Sequence, residues 1–250
     1  MTRKALYFTM IFSIFFGLQI FAQSIDEIIN KNIQARGGYQ KLKAVRTMKI
    51  TGKTLVQGME IPFTVQSKRP NFIRLESKIQ GQTMVQAYDG ETAWGIMPIL
   101  GITDSEKLPE EQAKSVIEQA DFDGHLVDYR LKAHKAELMG KEDVEGKEAY
   151  KLKITLKNGD IRYVFIDTGS FLELKWIAKI KRQGNEIESE AFFSDFKDVS
   201  GLMVAFSVEN RVSGNIISQV TIDKVELNAK IDNSIFKMIV KKEDTEMLKK

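Results

Sequence analysis

The chain has 250 residues, 43% hydrophobic and 28% charged, with 37 Lys+Arg against 34 Asp+Glu and no cysteine. This size suits one domain with a sizeable core, and the lack of cysteine excludes disulfides, thiolate catalysis, cysteine-rich zinc sites and lipid attachment to an N-terminal cysteine. Charges of both signs are interspersed like solvated faces, which argues against a phosphate-binding patch and so against nucleic acid as a partner.

Residues 1–22 read as a secretory signal peptide, with Arg3 and Lys4 as the charged start, an apolar run from Ala5 to Phe21, and Ala22 suited to cleavage. Removing them takes two of the 37 basic residues and no acid, leaving about +1. No later run is apolar over the roughly 20 residues a spanning helix needs, so the expectation is an exported, periplasmic, monomeric protein with no transmembrane segment after cleavage. Residues 23–240 are expected to form a single domain and 241–250 a charged C-terminal tail.

Ser24-Ile-Asp-Glu27 fits a capping box, and Ile25, Ile28, Ile29 and Ile33 recur at helical spacing until Gly37-Gly38. The period then changes to two. Ile61, Phe63 and Val65 alternate with small or polar neighbours, as do Ile73, Leu75 and Ile79 after Pro70-Asn71. From Trp94 to His134 the strand pattern is interrupted. Within that interval Pro109 marks a helix start, and Ala113, Val116, Ile117 and Ala120 form an apolar stripe. Tyr150, Leu152, Ile154 and Leu156 then alternate with lysines and a threonine up to Asn158-Gly159, a hairpin signal, and Ile161–Ile166 is apolar on both faces. Further hairpins are read at Gln183-Gly-Asn185 and Gly214-Asn215, separating strands that carry Leu172, Leu174 and Trp176 and then Leu202, Val204, Phe206 and Val208. In the last strand Val220 and Ile222 share a face while Val225 and Leu227 have shifted phase, which predicts a bulge near Asp223-Lys224.

These elements predict a mainly β (α+β) fold, a curved antiparallel sheet of roughly ten or eleven strands with two amphipathic helices. Such a sheet is either filled by side chains or left open as a pocket for an apolar ligand, and composition leaves both readings standing. Chemistry-bearing patterns are sparse. The sequence has no phosphate loop, no Gly-x-Ser-x-Gly elbow and no His-Glu-x-x-His pair. Both histidines lie in Asp121-Phe-Asp-Gly-His-Leu-Val-Asp-Tyr-Arg-Leu-Lys-Ala-His134, but an EF-hand register fails there, and His125 and His134 are too far apart for one helix face. The stretch reads as a joint in which Gly124 ends the helix, Leu126, Val127 and Tyr129 tuck under the sheet, and a strand resumes near Lys135. No catalytic residue, metal site or cofactor is assigned.

Lys68-Arg-Pro-Asn71, Tyr88-Asp-Gly-Glu-Thr-Ala-Trp94 and Asn228-Ala-Lys-Ile-Asp-Asn-Ser-Ile-Phe236 together resemble, in order and spacing, the LolA/LolB lipoprotein-sorting superfamily, over most of residues 25–238 and nearest its soluble LolA-like type. Each motif also has a structural reading: Pro70 suits a strand entry, Asp89-Gly90 a hairpin, and Asp232 a cap for a terminal turn that packs Phe236 on the sheet. The lipid-bearing cysteine expected of the membrane-anchored LolB type is absent. The resemblance implies a half-open β-barrel with a helical lid over an apolar cavity. Its ligands would be acyl chains of a lipoprotein or lipid, with envelope proteins as partners and carriage toward the outer membrane as the role; an envelope sensor or a protein-binding module with a filled barrel and no lipid is the alternative, and a hydrolase without a recognisable motif is a more distant one. On this reading Phe63, Leu75, Met84, Trp94, Met97, Val116, Ile117, Leu152, Ile154 and Trp176 line the cavity or lid. The lid itself spans Ile96–Tyr129, with Met97, Ile99, Leu100 and Ile102 on its apolar side.

Overall fold

The computed structural model describes residues 24–182 and 185–239, so the expected signal peptide, the expected 241–250 tail and the Gln183-Gly184 part of one expected hairpin lie outside the described residues. Helix α1 (Ile25–Ala35) starts at Ser24, whose hydroxyl accepts from the Glu27 N–H at 3.2 Å, and buries Ile28, Ile29 and Ile33 on one face. A short helix α2 (Tyr39–Ala44) follows the Gly37-Gly38 break.

Among the described residues thirteen strands then form one antiparallel sheet: β1 (Thr47–Val56), β2 (Met59–Lys68), β3 (Phe72–Ile79), β4 (Gln82–Tyr88), β5 (Ala93–Met97), β6 (Ile102–Lys107), β7 (Lys135–Val144), β8 (Lys147–Thr155), β9 (Ile161–Asp167), β10 (Glu173–Arg182), β11 (Asn185–Val199), β12 (Leu202–Val212) and β13 (Asn215–Leu227). The spatial order is β6-β5-β4-β3-β2-β1-β13-β12-β11-β10-β9-β8-β7. Two meanders are therefore joined where the first strand meets the last, and the sheet stays open between its edges β6 and β7. The chain crosses that gap once, through α3 (Glu110–Gln119) and a connector of turns over residues 120–134. The end of β5 and the whole of β6 lie inside the expected interruption. After Trp94 the chain runs on to Met97, turns through a 3₁₀ segment (Pro98–Leu100), and pairs back as β6.

The bulge expected near Asp223 is present. Thr51 faces Lys224 and Gly52 faces Ile222, so Asp223 is the extra residue, and Val225 returns to the face of Ile222. Gly52 is required at this point, because a methyl group there would collide with the Thr221 carbonyl oxygen. Its missing side chain also leaves room for the Phe63 ring directly opposite.

Two separate cores cover the inner face. Beneath α1, Ile28, Ile29 and Ile33 pack with Leu152, Ile154, Val164 and Ile166 and with connector residues Leu126, Val127 and Tyr129. Beneath α3, Val116 and Ala120 pack with Ile73, Tyr88, Ala93, Met97 and Leu108. The outer face carries its own cluster, Val85, Ala87 and Trp94, under Met238. There Asp232 caps the final 3₁₀ turn (Asn233–Phe236), and buried Phe236 accepts the Trp94 indole N–H on its carbonyl at 2.7 Å.

Candidate functional site

Between the two cores the inner face of the sheet is not sealed. A cavity of about 870 Å³ lies under α3 and the connector. One wall is apolar sheet, with Met48, Ile50, Val65 and Ile73 on one side and Trp176 and Ala178 on the other. The facing wall is the polar side of α3 and its continuation, including Glu111, Lys114, Ser115, Glu118, Gln119 and Asp121. Because Val116 and Ala120 are spent on the core, the rest of the helix surface turns its hydrophilic residues toward the cavity. A smaller hollow of about 380 Å³ lies around Phe192, Glu209 and Arg211.

Two ion clusters fasten the cover. At the end of α3, Arg162 of β9 donates Nε and Nη2 to the two Glu118 oxygens at 2.8 and 2.5 Å, and His125 Nε2 lies 3.2 Å from the same carboxylate. Burial alone would raise the Glu118 pKa, but the hydrogen bonds from His125 and Arg162 and the nearby Arg162 charge outweigh it and hold it at about 2. In the connector, Asp123 receives both Nη groups of Arg69 at 2.9 and 2.5 Å and the Lys43 ammonium at 2.7 Å. Burial pushes its pKa up, and hydrogen bonds from Arg69 and Lys43 with their charges overcome that, leaving about 2. Arg69 also donates to the carbonyls of Val45 and Leu42 and lies 4.5 Å from the Phe122 ring, so one side chain ties the β2–β3 turn to α2 and the connector.

The connector also brings Asp121, His125 and His134 together, with ligand atoms within 4.8 Å of one another. Several of their atoms have protein partners. Lys132 Nζ donates to both Asp121 oxygens at 2.6 and 2.7 Å, and the Lys157 backbone N–H donates to His134 Nδ1 at 3.1 Å. An Nδ1 that accepts a hydrogen bond leaves the proton of neutral His134 on Nε2, the wrong tautomer for a metal bound through Nε2. Burial, the neighbouring His125 and Lys132 push the His134 pKa down.

The ten residues expected at the cavity or lid separate into distinct places. Trp176 lines the cavity, its ring 5.5 Å from His125 and 5.0 Å from Phe193. Phe63 is half-buried on the same face as the cavity residue Val65, further toward the β1–β2 turn. Leu75, Met84, Met97 and Val116 belong to the packed core beneath α3, and Leu152 and Ile154 to the core beneath α1, so these six support the cavity without lining it. Two assignments are corrected. Trp94 is only 1% exposed but sits on the opposite face of the sheet, because Tyr88 and Ala93 turn inward and their neighbours Ala87 and Trp94 must turn outward. Ile117 is 43% exposed, since the 100° step from Val116 carries it off the buried stripe. The expected lid is corrected as well. Met97 ends β5, Ile102 begins β6, and Ile99 and Leu100 are exposed on the turn between them, so α3 and residues 120–134 form the cover. The helix ends at Gln119, before Gly124, while Leu126, Val127 and Tyr129 are buried as expected.

Comparison with solved structures identifies this architecture. A LolA superfamily protein from Nitrosomonas europaea superposes with a TM-score of 0.59 at 15% identity, over 86% of this chain and 98% of that one. The chain has a LolA-like fold. A DUF1329 family protein from Desulfovibrio piger gives a TM-score of 0.60 at 10% identity, over 86% and 98% of the two chains. A Vibrio parahaemolyticus domain described as an outer membrane lipoprotein-sorting protein gives 0.55 at 12% identity, over 90% and 97%. No family model and no curated protein matches the sequence. Among the described residues of this LolA-like chain, no helix is long and apolar enough to cross a membrane.

Proposed function

We propose that this LolA-like protein is a periplasmic carrier that shelters the acyl chain of a lipid or lipoprotein bound for the outer membrane. The observation that carries this reading is the two-sided cavity of about 870 Å³, apolar along the sheet and polar along α3. An acyl chain in water costs about 0.8 kcal/mol per CH₂, and Met48, Ile50, Val65 and Trp176 offer a surface that removes this cost. The polar wall suits the head of an amphiphile, which needs hydrogen-bonding partners once it leaves water.

Release requires a cover that moves, and the Arg162–Glu118 pair closes this one at the end of α3. The apolar run at Ala5–Phe21 supports export as the route to the periplasm.

The test is to purify the protein from native membranes under mild conditions, extract it with organic solvent and analyse the extract by mass spectrometry. An acyl amphiphile in stoichiometric amount is the expected result. A lipid-free extract, together with failure of the purified protein to take up a fluorescent fatty acid, would replace the carrier by a protein-binding module of the same fold.

A further inference from the structure

The two ends of the sheet are finished in opposite ways. At the end holding the β2–β3, β4–β5 and β11–β12 turns the barrel is plugged. Arg69 donates to the Leu42 carbonyl of α2 and Met203 N–H to the Arg36 carbonyl at 3.2 Å, while on the outer face Thr47 Oγ1 and Lys68 hold the C-terminal segment through the Ala229 and Ile231 carbonyls at 2.6 and 3.0 Å. The opposite end holds the β1–β2, β5–β6 and β12–β13 turns. Its tips carry Leu55, Met59, Ile99, Leu100, Ile216 and Ile217, which are 38% to 67% exposed. They are half of the twelve exposed large hydrophobics among the described residues, gathered on one turn and on the strand ends beside two others.

We propose that this apolar fringe docks the protein on a lipid surface, with the mouth of the cavity facing the bilayer. Three features select a lipid layer as the occupant. First, the fringe leads into the cavity through Met59: β2 pairs with β1 without a register break, so Met59, Ile61, Phe63 and Val65 share one face and form an apolar track from the tip to the cavity wall, while Leu55, paired with Glu60, flanks it on the other face. An acyl chain following that track need not cross water. Second, the fringe is divided. The β1–β2 and β12–β13 tips adjoin through the β1–β13 pairing, whereas Ile99 and Leu100 lie beyond β2, β3 and β4. A fluid layer accepts separate prongs, while a protein partner would need a matching socket for each. Third, Lys53 at the nearest tip is paired with Glu60 at 2.6 Å, so attraction rests on apolar insertion and not on anionic headgroups.

The proposal extends the carrier reading but uses different residues, and the two can fail separately. The mature protein is sedimented with phosphatidylcholine vesicles, and with phosphatidylglycerol vesicles at low and high salt, alongside a Leu55→Ser/Ile216→Ser/Ile217→Ser variant. Uptake of a fluorescent fatty acid without vesicles serves as the check on folding and on the cavity. The expected result is salt-insensitive co-sedimentation of the wild type, a loss of at least about tenfold in the variant, and unchanged fatty-acid uptake. Wild type left in the supernatant, equal sedimentation of the variant, binding confined to anionic vesicles at low salt, or a protein crosslinked to the fringe without vesicle binding would each overturn it. Vesicle binding that depends on the fringe in a wild type that takes up no fatty acid would support the docking and count against the carrier.

Discussion

Replacing Arg162 with methionine tests whether the pair at the end of α3 is the fastening of the cover. Methionine keeps much of the buried stem of Arg162 and removes both donors to Glu118. Glu118 is held at about 2 against an ordinary 4.5, a difference of about 3 kcal/mol shared among its partners. The Glu118 side chain is 29% exposed, and a hydrogen-bonded pair involving a charged group contributes about 1.5–3 kcal/mol, so loss of Arg162 should cost about 2 kcal/mol. That amounts to a factor of about 30 in the ratio of closed to open cover. A helix of ten residues is not stable alone, so undocking also melts α3 and exposes its amides. Hydrogen exchange read by mass spectrometry is therefore expected to run about 30-fold faster over residues 110–119, with β8, β9 and α1 unchanged. Unchanged exchange in α3 would refute the fastening, and acceleration spread evenly through the sheet would show that Arg162 supports the whole fold.

Acid should loosen the same cover. Glu118 and Asp123 have folded pKa values lowered to about 2, so their stabilisation is complete above their ordinary values of 4.5 and 3.8 and is lost as pH falls toward 2. A pH titration of α3 exchange should turn over within that interval, and a transition centred above pH 5 would point to other groups. Trp94→Ala should cost about 3–5 kcal/mol in a denaturant titration, by emptying the cluster under Met238 and freeing the Phe236 carbonyl. Folded Trp94→Ala protein should take up fatty acid normally, and lost uptake would return Trp94 to the cavity. Gly52→Ala should lower stability by about 2 kcal/mol or more, because the added methyl meets Thr221 backbone across the bulge; a neutral thermal midpoint would refute so close a strand approach.

These perturbations divide along the line between what alternation reveals and what it hides. Period-two patterns marked most strands, and the phase shift between Ile222 and Val225 located the bulge, because one face of an antiparallel strand must be apolar. The same rule does not say which face is inner when both are buried. Trp94 and Met97 lie on opposite sides of β5, with apolar clusters on each, and only the docking of Phe236 decides between them. Strand β6, Ile-Thr-Asp-Ser-Glu-Lys, is an edge strand with mostly exposed positions and no apolar alternation to announce it.

The cover was legible as an amphipathic helix, yet its fastening was not. Glu118 and Arg162 are 44 residues apart and Arg69 and Asp123 are 54 apart, and each looks in sequence like an ordinary surface charge. In sequence the Lys-Arg-Pro-Asn turn announces the strand entry set by Pro70, whereas the structure also uses Arg69 as the buried fork that anchors the connector. Asp121-Phe-Asp-Gly-His follows from this. Its two carboxylates answer separate cations, Asp123 to Arg69 and Lys43 and Asp121 to Lys132. The charge density of the segment that joins two separately built cores therefore reflects how often it must be tied down, and cutting single ties while watching α3 separates fastening from folding.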